Sequence, residues 1–133
     1  MKVVRSLLSV CLGFAVFFEM VRVMTAVVGS GPDTSGAYTN GPVMNYLIES
    51  LVWTVGAALI AGYITAWIAG FREFPHAAAL GLLMVIAGFV SMRQEGITKP
   101  GWYQTTVAGC GPITAMIGAA IRMLTKRRPA DRA

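Results

Sequence analysis

Charge is what this chain has least of, and its absence is concentrated. Only 13% of the 133 residues are Asp, Glu, Lys or Arg, and residues 7–28, 46–69, 76–92 and 102–124 hold very few of them. A soluble helix needs a polar face toward water, so runs this long and this apolar leave no room for a soluble domain. Each has about the ~17–25 residues that a helix needs to cross the hydrocarbon core of a bilayer. Cysteine is nearly missing as well. Cys11 and Cys110 sit in the first and last runs at different expected depths, farther apart than a disulfide permits, and no CxxC occurs. A lone histidine, His76, cannot assemble a metal cluster. Haem would need a second axial ligand, and Met84, Met92, Met116 and Met123 read as packing residues. No cofactor and no metal are expected. No serine lies in a nucleophile elbow and no aspartate lies in a run, so no catalytic residue is expected and the chain does not read as an enzyme.

The charge that is present is arranged by side. Lys2 and Arg5 precede the first run, Arg72 lies in the turn between the second and third, and Arg122, Lys126, Arg127, Arg128 and Arg132 gather at the end of the fourth. The segment 29–45 has no Lys or Arg and one acid, Asp33. Basic short loops stay on the cytoplasmic side. The expectation is an all-α, four-transmembrane-helix bundle, N-in and C-in, a single multi-pass domain of the bacterial inner membrane. The formal net charge of +5 reads as this topology signal plus contact with lipid head groups. Nucleic acid is not expected as a partner, since no basic surface interleaved with aromatics lies outside the runs. A cleaved signal peptide competes for residues 1–28, because Lys2 and Arg5 resemble its basic start. The run is long for such a peptide and is interrupted by Glu19 and Arg22, so a retained first helix is expected.

Turn residues separate the runs. Gly29 to Gly36 and Asn40-Gly41-Pro42 punctuate the first connection, Arg72-Glu73-Phe74-Pro75 makes a tight turn, and Lys99-Pro100-Gly101 leads to Trp102 and Tyr103, whose amphipathic rings suit a membrane interface. Pro112 falls inside the fourth run, where it removes a helical hydrogen bond and favours a bend near Gly109-Cys110-Gly111.

Two patterns invite a role. Ala58, Gly62, Ala66 and Gly70 recur every fourth residue and line one helix face, which lets another backbone come close. Gly111, Ala115 and Ala119 form a weaker series. Such stripes either pack the four helices together or offer an outer face to a partner subunit or a second copy. The other pattern is ionisable: Glu19 and Arg22 inside the first run and Glu49 near the start of the second. Charges at such depth are costly and stand as functional candidates. Three residues apart, Glu19 and Arg22 share a helix face, and Glu49 falls at a depth similar to Arg22, so an Arg22 flanked by two carboxylates is expected, with hydroxyls of Tyr46, Thr54, Tyr103, Thr105 and Thr106 in the same half. The cluster either fixes helix register, pairs with a charge on a partner, or binds a proton or cation at Glu19.

The segments Gly62-Tyr63-Ile64-Thr65-Ala66-Trp67-Ile68-Ala69-Gly70, Pro75-His76-Ala77-Ala78-Ala79-Leu80-Gly81 and Pro100-Gly101-Trp102-Tyr103-Gln104 resemble those of a loose group of small, uncharacterised bacterial four-span membrane proteins. The resemblance covers roughly residues 55–120 and implies no activity. Similarity to small multidrug-resistance transporters is of architecture only: four spans and a glutamate in the first. The reading is thus a non-enzymatic accessory subunit or self-associating scaffold, packed laterally in the lipid bilayer within a larger membrane complex or a homo-oligomer. The alternative is a small proton- or cation-coupled transporter using Glu19.

Overall fold

The computed structural model describes residues 2–28, 41–70, 72–95 and 100–127. The run 29–36, Lys99, Arg128 and Arg132 lie outside them. The described residues form four helices and no strand: α1 (Lys2–Val28), α2 (Gly41–Ala69), α3 (Glu73–Glu95) and α4 (Gly101–Arg127). All four are long and apolar enough to cross a membrane. They run up-down-up-down, so both ends of the described chain lie at one end of the bundle (the terminal end) and the connections after α1 and α3 lie at the other (the loop end).

The helices overrun the apolar runs because polar residues extend a helix wherever their backbone can bond. Glu73, Phe74 and Pro75 belong to the first turn of α3 rather than to the turn before it. The missing N–H of Pro75 costs nothing there, since first-turn amides have no partner four residues back. Pro42, the second residue of α2, is accommodated for the same reason. The α2–α3 connection is correspondingly short. Gly70 takes φ +66° and its N–H reaches the Ala66 carbonyl at 3.1 Å, an αL cap that ends α2. α4 continues unbroken through Pro112.

α2 and α3 each touch all the other helices, whereas α1 and α4 do not touch one another. The α2–α4 contact is the closest. A Cβ at Gly62 would lie 2.6 Å from the carbonyl carbon and 2.7 Å from the Cα of Ala115, and one at Gly118 would lie 2.9 Å from the Tyr63 nitrogen. Only hydrogen fits at these two positions. Helices in lipid gain little from the hydrophobic effect, so this backbone-to-backbone approach is the main source of attraction between them. Around it Ala58, Ala61, Leu80, Met84 and Ala115 form the central core, and Val10, Phe14 and Phe17 of α1 pack on them. Toward the terminal end Ala66, Ala77 and Ala119 bring α2, α3 and α4 together.

Candidate functional site

The small-residue stripe points inward. Ala58 and Ala66 are fully buried, Gly62 meets α4, and Gly70 ends the helix with the Arg5 guanidinium beside it. Of the two readings of the stripe, packing within the bundle is the one realised, and no outer face remains on α2 at these positions. The α4 series is buried too: Ala115 receives Gly62, and a second close approach falls at Gly118, which the four-residue spacing from Gly111 passes over.

The charged trio divides. Arg22 Nη1 donates to Glu19 Oε1 at 2.9 Å and to Oε2 at 3.3 Å, the pairing that their spacing on one helix dictates. Both side chains are about two-thirds exposed, Arg22 at 67% and Glu19 at 62%. The pair is therefore on the outside of α1, not between helices. Glu49 is exposed on α2 and, among the described residues, makes no hydrogen bond or ion pair, so the expected Glu19–Arg22–Glu49 cluster is only its α1 half. The physical reason lies in rotation: depth follows from sequence position, but the direction in which each helix presents a residue follows from its packing.

The hydroxyls divide in the same way. Thr105 and Thr106 bond to their own helix, at the carbonyls of Gly101 (2.9 Å) and Trp102 (2.7 Å). Thr54 does the same, at the carbonyl of Ser50 (2.8 Å), but together with Tyr46 and Tyr103 it lines a cavity of about 260 Å³ in the loop-end half of the bundle. Tyr103 is 6% exposed and turned into the bundle, its hydroxyl 2.7 Å from that of Ser50, while its neighbour Trp102 remains exposed. The cavity exists because α1 and α4 stand apart, with α2 and α3 as the remaining walls. Glu19 and Arg22 do not line it.

A second polar group, unmarked in the sequence by any spacing, ties the terminal end together. Arg5 Nε donates to the Ile68 carbonyl at 2.7 Å, capping the C-terminus of α2, whose own last turn has no basic residue. His76 is buried. Its Nδ1 lies 2.7 Å from the Arg72 carbonyl, which can only accept, so Nδ1 carries hydrogen; Nε2 is 2.5 Å from Ser6 Oγ. Glu73, also buried, takes Lys126 Nζ at 3.2 Å on Oε1, while its Oε2 and Arg122 Nε are buried without hydrogen-bond partners. His76 thus serves as a link between α1 and α3 at the start of its helix. Cys11 and Cys110 are both free. Among the described residues no three His, Cys, Asp or Glu come close enough to hold a metal ion.

Compared with protein-family models, with curated proteins and with solved structures, the chain matches none, and nothing in those comparisons bears on its resemblance to small four-span proteins.

Proposed function

We propose that this protein is a non-enzymatic accessory subunit or self-associating scaffold of the bacterial inner membrane, with both termini cytoplasmic, and that it packs laterally against its partner through the outer face of α1. One observation carries the reading: the Glu19–Arg22 ion pair is held at 2.9 Å on the outside of α1, with both side chains about two-thirds exposed. The apolar span is Val3–Val27, so Glu19 stands four residues past its middle, about 6 Å at 1.5 Å per residue, and Arg22 about 10 Å. Both fall within the ~30 Å hydrocarbon core. A charged pair facing lipid tails there is costly, and a second protein surface supplying polar groups removes that cost. α1 is also the least covered span: 17% of its most apolar stretch is buried, against 39% for α2. The basic residues at the terminal end support the orientation.

The small-residue stripe lends no support, because the bundle uses it internally. The transport reading keeps one support, the cavity in the same half of the bundle. Glu19 faces away from it, so coupling at Glu19 would require a chamber completed by another chain.

The test is site-specific. A photo-crosslinking residue at Val23, exposed beside Arg22 on α1, is expected to capture one discrete partner or a second copy in native membranes, and one at Ile113, exposed on α4, is not. Glu19→Gln with Arg22→Ala should remove the adduct and leave the monomer folded. Crosslinks to lipid alone at Val23, with a monomer in gentle detergent, would overturn the reading.

A further inference from the structure

The cavity between α1 and α4 is not used by the partner face, and its walls differ in chemistry. Phe14, Phe17 and Phe18 of α1 line one side. Across from them α2 and α4 contribute the hydroxyls of Ser50 and Tyr103, 2.7 Å apart, and the side chain of Gln104. Gln104 is half-buried, and its amide makes no hydrogen bond among the described residues. Pro112 lacks an N–H, so the carbonyl of Ala108, four residues earlier and also on the cavity wall, has no helical donor. The wall therefore offers an amide that both donates and accepts, and a carbonyl that accepts.

Size and access add to this. A dry apolar cavity of about 150 Å³ holds benzene, and about 260 Å³ admits a second fused ring. On α3, Gly88 keeps the space open: a Cβ there would meet nothing within 4 Å. Among the described residues α1 hydrogen-bonds to other helices at the terminal end, through Arg5 and Ser6. Beside the cavity it is held by packing, so a molecule enters between α1 and α4 without breaking one of these bonds. A lipid tail filling the space would offer nothing to the Gln104 amide, and would leave the Ala108 carbonyl, about 8 Å from the middle of the Gly101–Lys126 span at 1.5 Å per residue, without a partner where water does not supply one.

We propose that this cavity binds a flat two-ring apolar molecule with one hydroxyl or carbonyl head. The rings lie against Phe14, Phe17 and Phe18, and the head bonds to Gln104 and the Ser50–Tyr103 pair.

The experiment uses 1-naphthol as probe and the full chain in phosphatidylcholine nanodiscs, with equilibrium dialysis against empty discs to subtract partitioning. One saturable site per chain is expected. Gly88→Phe grows a ring into the cavity and should weaken binding at least about 10-fold. Gly56→Phe, where a Cβ also meets nothing but on the exposed side of α2, should leave it unchanged. Gln104→Leu should cost about 3–10-fold, the worth of one hydrogen bond, for 1-naphthol and nothing for naphthalene. Should Gly88→Phe fail to fold, Gln104→Leu alone decides. Uptake no greater than in empty discs, or saturable binding indifferent to both Gly88→Phe and Gln104→Leu, would overturn the proposal.

Discussion

Replacing Gly62 by alanine adds one methyl group at the place where α2 and α4 are closest. That Cβ would lie 2.6–2.7 Å from two Ala115 backbone carbons, whereas carbon atoms rest about 3.5–4.0 Å apart. Backbone cannot rotate out of the way as a side chain can, so the two helices must part by about 1 Å. A gap of that size forfeits roughly a quarter to a half of each atom pair's ~0.1–0.2 kcal/mol. If about 40 pairs along the seam are affected, the loss is about 1–4 kcal/mol, overlapping the ~1–3 kcal/mol of overpacked cores. Lipid offers no compensating hydrophobic gain, because the tails are as apolar as the helix faces. Gly56→Ala supplies the comparison: a Cβ there meets nothing within 4 Å, so the better helix propensity of alanine should leave stability unchanged or raise it by up to ~1 kcal/mol. Unfolding by sodium dodecyl sulfate in mixed micelles, followed by circular dichroism, measures both. If Gly62→Ala unfolds within about 0.5 kcal/mol of Gly56→Ala, the margin of an ordinary surface substitution, the close α2–α4 seam is refuted.

Arg5→Ala removes the donor that caps α2 at Ile68. It should cost about 0.5–1.5 kcal/mol and loosen the start of α1, measured as faster maleimide labelling of a cysteine placed at Ser9, a fully buried position. Lys126→Met leaves the buried Glu73 carboxylate without its counter-charge. The expected loss is roughly 1–3 kcal/mol, below the ~3–5 kcal/mol of fully buried pairs because Lys126 is half-exposed; adding Glu73→Gln should restore much of it in the same unfolding assay. Glu19→Gln and Arg22→Ala alter an exposed pair, so the stability of the isolated chain in detergent should change by no more than about 1 kcal/mol. A larger loss would show that α1 uses these charges to hold the bundle rather than to meet a partner.

The contrast between Gly62 and Glu19 shows where the sequence is informative. Four helices, their approximate extents and the shared face of Ala58, Gly62 and Ala66 follow from hydropathy and four-residue spacing, both properties of a single segment, whereas the use of that face inside the bundle rather than outside it does not. The same rule placed Glu19 beside Arg22, since residues three apart share a helix face whatever surrounds the helix. It also overran at the ends: hydropathy stops at the last apolar residue, but backbone bonding carries α3 back to Glu73 and α1 out to Lys2.

Which direction a face points is a matter between helices. Glu49 and Arg22 share a depth by residue count, yet Glu49 stands apart from the pair, and Tyr103, amphipathic enough for an interface, turns inward to Ser50. The polar ties of the terminal end join residues as far apart as Ser6 and His76, or Glu73 and Lys126, with no local pattern to announce them. Four long apolar helices are legible from hydropathy alone, because a backbone in hydrocarbon must satisfy its hydrogen bonds within each segment. That α1 and α4 stand apart around a cavity, and that the Glu19–Arg22 pair faces outward, depends on how whole helices rotate against one another: Gly62 and Gly118 fix α2 against α4, and Val10, Phe14 and Phe17 turn the other face of α1 to the core.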